Sequence, residues 1–144
     1  MVLLCDQMDA EALEYAHEHG LCLNADASRG GITPDYTEVT GDCGTSYMDV
    51  INLGSGFASF HAGVNSSQGA MASVSWYVDW TNWANYWTGN YNGTQYGLSG
   101  TWEYWSPTTE TRPGWVTATL GGTVTLWWGG LCGILVPTDG ETIT

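Results

Sequence analysis

The sequence predicts an all-β domain, an antiparallel β-sandwich or small barrel of about eight strands, preceded by one short N-terminal helix. From Cys43 onward, apolar and polar residues alternate with period two, and the apolar positions are rich in Val, Trp and Tyr. Glycine-rich segments interrupt this pattern about every eight to twelve residues, and no helical stretches alternate with the strands. A length of 144 residues fits one domain with one core.

The charge of the chain is strongly one-sided. Fifteen Asp and Glu residues face two basic residues, Arg29 and Arg112, and the formal net charge is −13. Nucleic acids and anionic membrane surfaces bind basic patches, which two arginines do not form, so neither is expected as a partner. No run of about 18 apolar residues occurs, so we expect no membrane insertion.

The cysteines and the polar composition favour an extracellular location. Four cysteines occur at spacings unlike those of zinc or redox motifs, which favours two disulfides in an oxidising compartment. Met1 is followed by apolar residues without a basic n-region or cleavage motif, so we expect that a secretory leader has been removed. A cytosolic protein is the alternative, and the cysteines weigh against it.

Two regions of different character divide the chain. Residues 1–42 are expected to form a helix and an acidic connecting segment packed on the β domain of residues 43–144. The helix is predicted within the segment 6–20, with Asp6 as its N-cap and Gly20 just beyond its C-terminus. Its apolar stripe consists of Met8, Ala12, Tyr15, Ala16 and His19.

The predicted disulfides are Cys43–Cys132 and Cys5–Cys22. Cys43 and Cys132 lie at the two ends of the β region and each precedes a glycine. Cys5 and Cys22 pair by elimination, but a helix over residues 7–19 is about 20 Å long and keeps them apart. Either the helix is shorter or the pairing is crossed.

The predicted strands are 45–52, 56–62, 71–80, 85–91, 94–105, 115–120, 123–128 and 131–136. Asn92-Gly93 predicts a type I′ hairpin turn, because this dipeptide adopts positive φ at both positions at low cost. Tyr91 would then face Thr94, and alternation assigns each residue of both strands to a face. Gly121-Gly122 is predicted to be another turn between strands.

This register divides the aromatic residues into two groups. The predicted core side contains Trp76, Trp80, Trp87, Tyr91, Tyr96, Leu98, Trp102, Tyr104 and Trp128. The predicted outward rings are Tyr77, Tyr86, Trp105, Trp115 and Trp127, and Trp83 lies in a loop.

Outward rings beside polar side chains are typical of a carbohydrate-binding surface, where rings meet sugar C–H faces and amides or carboxylates bind hydroxyls. The alternative is that the rings cover another sheet, a loop or a neighbouring subunit. The first hypothesis is therefore a secreted, non-catalytic module that binds a glycan or surface protein. The second is a self-assembling structural subunit. The predicted binding residues are Tyr77, Asp79, Trp83, Tyr86, Asn90, Gln95, Glu103 and Trp105.

Catalytic and metal sites have little support in the sequence. His17 and His19 are two residues apart on a helix and point in different directions, so they do not share an ion with each other, and His61 is remote in sequence. A glycan hydrolase, the third hypothesis, requires a carboxylate pair, for which Asp79 and Glu103 are the candidates on one sheet face. No nucleophile motif is present, and no cofactor is expected.

The acidic composition predicts pH-dependent self-association. With a sequence pI near 4.1, the protein should be most soluble around neutral pH and associate as its carboxylates become protonated toward about pH 4. A solubility series from neutral to acidic pH measures this directly. Unchanged solubility across the series would mean that net charge does not keep the molecules apart.

Overall fold

The computed structural model describes residues 1–22 and 37–144 and consists of two antiparallel sheets packed face to face. Most of these described residues lie in strands, and they include one short α-helix. The predicted β-sandwich is confirmed, with eleven strands in the described residues instead of about eight.

The elements follow one another along the chain with these bounds. They are β1 (Val2–Leu3), a 3-10 turn (Cys5–Gln7), α1 (Ala10–Glu18), β2 (Glu38–Gly41), β3 (Gly44–Gly54), β4 (Phe57–Ser66), β5 (Met71–Asn82), β6 (Trp87–Leu98), β7 (Thr101–Trp105), β8 (Thr109–Glu110), β9 (Gly114–Leu126), β10 (Leu131–Gly133) and β11 (Thr138–Ile143). Sheet A has the order β1-β10-β9-β5-β6, with β11 also paired to β9. Sheet B has the order β2-β3-β4-β7, with β8 also paired to β4.

Two predicted turns are wrong. Asn92-Gly93 lies in the middle of β6, where Asn92 pairs with Tyr77 and Gly93 pairs with Trp76. Gly121-Gly122 likewise lies inside β9 and pairs with the same two aromatic residues from the other side of β5. The chain leaves β6 at Leu98 and crosses to sheet B, so β6 and β7 belong to different layers.

The glycines in these strands make room for rings from β5. A Cβ atom at Gly93 would lie 3.1 Å from the Trp76 indole, and one at Gly121 would overlap the Tyr77 ring. Gly122 has φ of +134°, and a Cβ there would run into the carbonyl oxygen of Ser75. The close approach of neighbouring rings and backbone therefore explains why glycines occur in Asn92-Gly93 and Gly121-Gly122. Tertiary packing overrides the turn propensity of both dipeptides.

The core between the sheets contains the predicted aromatic residues, with one exception. Trp80 and Trp102 are buried, and the Trp76 ring centroid lies 5.2 Å from that of Trp102 and 4.3 Å from that of Tyr104. Tyr96, predicted to be core, is 74% exposed. Because β6 continues through Gly93 without reversing, Tyr96 points to the side opposite Tyr91.

The helix is shorter than predicted and begins at a different cap. Asp9, not Asp6, is the N-cap and accepts a hydrogen bond from the backbone N–H of Ala12 at 2.8 Å. At the other end, Gly20 has φ of +73° and Leu21 N–H donates to Ala16 O, as in a Schellman motif. Ala12 and Ala16 are buried, so the middle of the predicted stripe faces the protein, whereas His19, predicted to belong to it, is exposed.

Both predicted disulfides are present. Cys5 and Cys22 have Cα atoms 5.7 Å apart, which is compatible with a helix of only nine residues, about 14 Å long. Cys43 and Cys132 join the start of β3 in sheet B to β10 in sheet A across 89 residues. A loop of that length makes the bond worth about 4 to 5 kcal/mol in chain-entropy terms.

Gly89→Ala tests whether the strand glycines are required for space. A Cβ at Gly89 would overlap the buried Trp80 indole, so we expect a loss of about 1 to 3 kcal/mol in the free energy of unfolding. Gly100→Ala is the control, because the nearest atom to its Cβ would be Gly69 O at 3.8 Å. Urea denaturation measures both, and equal effects would contradict the packing argument.

Candidate functional site

The predicted binding residues lie on opposite outer faces of the sandwich. Tyr77 and Asp79 on β5 and Asn90 on β6 share the outer face of sheet A, whereas Glu103 and Trp105 on β7 lie on sheet B. The chain crosses between the layers after Leu98, so alternation could not carry a face assignment from β6 to β7. The prediction that Asp79 and Glu103 share one sheet face is wrong.

The remaining predicted residues lie around the edge of sheet A. Trp83 follows β5, and its indole N–H donates to the Thr117 hydroxyl at 2.9 Å, which holds the ring against β9. Tyr86 is 76% exposed in the turn before β6 and has φ of +61°. Gln95 pairs with the inward-facing Val74 and therefore points away from the side of Asn90.

Besides Tyr96 near the end of β6, three exposed rings occupy the outer face of sheet A, which we call the aromatic face. The Tyr77 ring lies across Gly121, and the Trp115 indole lies against Gly140. Trp83 completes the set, and the three residues are 39%, 50% and 54% exposed in the order Tyr77, Trp115, Trp83. Because glycines beneath two of the rings allow them to lie low on the sheet, ring surface is presented to solvent.

Hydrogen-bonding groups alternate with these rings. The side-chain amide of Asn92 donates to Asn90 Oδ1 at 2.6 Å, and Asn90 in turn donates to Asp79 Oδ1. Hydroxyl pairs extend the polar surface along the sheet, Ser75 with Thr94 and Thr119 with Thr138. The surface thus offers donors and acceptors that are mostly uncharged, with Asp79 as the acceptor at the end of the amide series.

Two shallow depressions lie on this face. The first has a volume of about 340 Å³ and is lined by residues of β5, β6 and β9, including Ser75, Tyr77 and Thr94. The second, about 300 Å³, is lined by Trp115, Thr117 and Thr138 among others. Tyr77 pairs with Gly121, six positions from Trp115 along β9, so the two rings are about 20 Å apart along the sheet.

The outer face of sheet B carries a compact cluster around His61. The His61 ring stacks on Trp105 with centroids 3.7 Å apart and lies between two carboxylates, with Nδ1 3.5 Å from Asp49 and Nε2 3.4 Å from Glu103. The second contact is a close approach without a hydrogen bond, because Nε2 is buried and has no hydrogen-bond partner in the described residues. Tyr47 lies over Gly63 and donates to Glu103 at 3.4 Å.

The groups of this cluster mainly bind one another. Trp105 Nε1–H donates to Glu103 Oε1 at 2.6 Å, and this bond, followed by the neighbouring His61 ring, holds the pKa of Glu103 below its usual value. The pKa of Tyr47 is raised by burial and then by the charge of Glu103. Since most of its polar atoms contact one another, the cluster joins β3, β4 and β7 and leaves the aromatic face as the more open site.

Comparisons with known proteins give no relatives. No protein-family model, no curated protein and no solved structure matches the chain. Among residues 1–22 and 37–144, no helix is long and apolar enough to span a membrane, and no group of three His, Cys, Asp or Glu side chains could hold a metal ion.

Several residues of the aromatic face were missed in the predicted set. Trp115 was predicted to point outward, but nothing in the sequence placed it on the same sheet face as Tyr77, because the pairing of β5 with β9 joins segments about 40 residues apart. Thr117 and Thr119 were missed for the same reason, and Asn92 was missed because it was predicted to lie in a hairpin turn. The alternation of threonines along β9 was a visible signal that a polar sheet face existed.

The low pKa of Glu103 predicts a pH dependence of stability. The pKa of Glu103 is lower in the folded than in the unfolded state, so its ionised form stabilises the fold. This stabilisation is complete above the usual carboxyl pKa and is lost as the pH falls through the pKa of the folded state. Glu103→Gln should therefore be less stable than wild type near neutral pH, and the difference should shrink in acid. Urea denaturation along a pH series checks this, and a constant difference would contradict it.

Proposed function

We propose that the protein is a secreted, non-catalytic module that binds a neutral glycan on the aromatic face. The observation that carries the proposal is the Tyr77 ring lying across Gly121 beside a depression lined by hydroxyl and amide groups. Exposed ring surface suits the C–H face of a sugar, and the amide series from Asn92 to Asp79 supplies donors and an acceptor for hydroxyls.

The charge of the chain supports a neutral ligand. A net charge of −13 repels glycans that carry sulfate or carboxylate groups, whereas it does not repel neutral sugars. Of the two arginines, Arg112 lies over the Trp87 ring, 3.5 Å from its centroid, and Arg29 is outside the described residues.

Secretion is part of the same proposal. Two disulfides join distant parts of the described chain, and such bonds form and persist in oxidising compartments. A glycan-binding module in that environment would meet cell-surface or matrix polysaccharides.

The test is binding to soluble neutral polysaccharides, for example glucan, mannan and xylan, by affinity electrophoresis and calorimetry. Tyr77→Ala and Trp115→Ala should each weaken binding about fivefold or more, since an anchoring ring contributes about 1 kcal/mol or more. Both variants should retain the wild-type fold by circular dichroism, because both rings are solvent-exposed.

Trp105→Ala is the matched control on the opposite face, because Trp105 and Trp83 are both 54% exposed. It should leave binding unchanged while Trp83→Ala weakens it. Loss of binding in Trp105→Ala alone would place the site on sheet B, and no binding of any neutral polysaccharide by the wild type would refute the proposal.

A further inference from the structure

Two rings of the aromatic face lie at separate points above one strand, β9. The Tyr77 ring lies across Gly121, and the Trp83 indole N–H donates to the Thr117 hydroxyl at 2.9 Å. Gly121 and Thr117 are four positions apart on β9, which corresponds to about 13 Å along the strand. A pyranose is about as large as the phenol ring of Tyr77, so a single sugar residue does not contact both rings.

Both rings are held in position by the protein itself. The backbone N–H of Trp83 donates to Trp115 O at 2.9 Å, in addition to the bond made by its indole. The preceding residue, Asn82, is buried and donates to Thr111 O at 2.8 Å, so the turn that carries Trp83 is anchored in the interior. The Tyr77 ring is supported by the backbone beneath it. A ligand that contacts both rings therefore loses little binding energy to ordering them.

The surface between the two rings is polar. Asp79 on β5 and Thr119 on β9 are cross-strand partners midway between the rings. Asp79 accepts a hydrogen bond from Asn90, and the Thr119 hydroxyl is paired with that of Thr138 at 2.9 Å. The two shallow depressions lie at opposite ends of this stretch, one beside Tyr77 and the other beside Trp115. Because both are open to solvent, a bound chain has room to continue beyond each ring.

We propose that the aromatic face binds an internal stretch of a linear, equatorially linked glycan, such as a cellulose-type glucan, a xylan or a mannan. The inference rests on the proposed function and adds the shape of the ligand to it. The chain runs along β9, and different sugar residues of the same chain contact Tyr77 and Trp83. Equatorial linkages give an extended ribbon that follows such a row, whereas an α-linked glucan coils away from it. Hydroxyls at the edge of the ribbon meet the carboxylate of Asp79 and the hydroxyl of Thr119.

The test is calorimetry with the hexasaccharides and disaccharides of cellulose-type glucan, xylan and mannan, and with maltohexaose as the coiled control. The hexasaccharide of the bound polysaccharide should bind as one chain per protein molecule. Its affinity should exceed that of the disaccharide about tenfold or more, because only the longer chain reaches both rings. Maltohexaose should show no such binding.

The ring variants show whether one chain contacts both rings. Tyr77→Ala and Trp83→Ala should each remove most of the gain in affinity from disaccharide to hexasaccharide, whereas Trp105→Ala on sheet B should retain it. Reduction of the terminal sugar of the hexasaccharide to its open-chain alditol should leave the affinity unchanged, since internal residues make the contacts.

Several results would overturn this inference while glycan binding itself stands. These are two disaccharides bound per protein molecule, equal affinities for the two lengths, dependence on only one of the two rings, preference for maltohexaose, or loss of affinity on reduction of the terminal sugar. Absence of binding to every polysaccharide tested would instead refute the proposed function, and this inference with it.

Discussion

The packing of β5 rings against glycines of its two neighbouring strands is the interaction on which the rest of this structure depends. Trp76 lies over Gly93 and Trp80 over Gly89, both on β6, and Tyr77 lies over Gly121 on β9. β5 is the central strand among these three, so its large rings require residues without side chains at the facing positions of β6 and β9. Large rings and adjacent glycines form cross-strand pairs of the kind that pin the register of designed sheets.

This one arrangement shapes both sides of sheet A. On the inner side, Trp76 and Trp80 reach across the sandwich toward Tyr104 and Phe60, and they fill the core with few leucines. On the outer side, Tyr77 lies low on the sheet, so the ring is supported by the backbone yet remains 39% exposed. Because neighbouring residues of a strand point to opposite faces, Trp76 contributes to the core and Tyr77 to the proposed binding surface. Whether an aromatic residue of β5 lies in the core or on the outer surface therefore follows from its position in the alternation.

Local patterns in the sequence predicted which elements form but not how they are arranged. Period-two alternation identified β3, β4 and β5, and it assigned Trp80, Trp102 and Trp105 to the correct sides. The strongest turn signal failed, because the space that Gly93 leaves for Trp76 outweighs the preference of Asn-Gly for a turn. The aromatic face depends on β9 lying beside β5, a contact between distant segments that no local rule encodes. Disulfide pairing was predictable because four cysteines leave few choices.

The most direct measurement is a double-mutant cycle on Tyr77 and Gly121, followed by urea denaturation. Gly121 has no positive φ, so an added methyl group acts through its overlap with the Tyr77 ring and not through the backbone. Gly121→Ala should cost about 1 to 3 kcal/mol in wild type, and at least about 1 kcal/mol of that cost should disappear in the Tyr77→Ala background. An equal cost in both backgrounds would contradict the account, because the destabilisation by Gly121→Ala would then not arise from overlap with the Tyr77 ring.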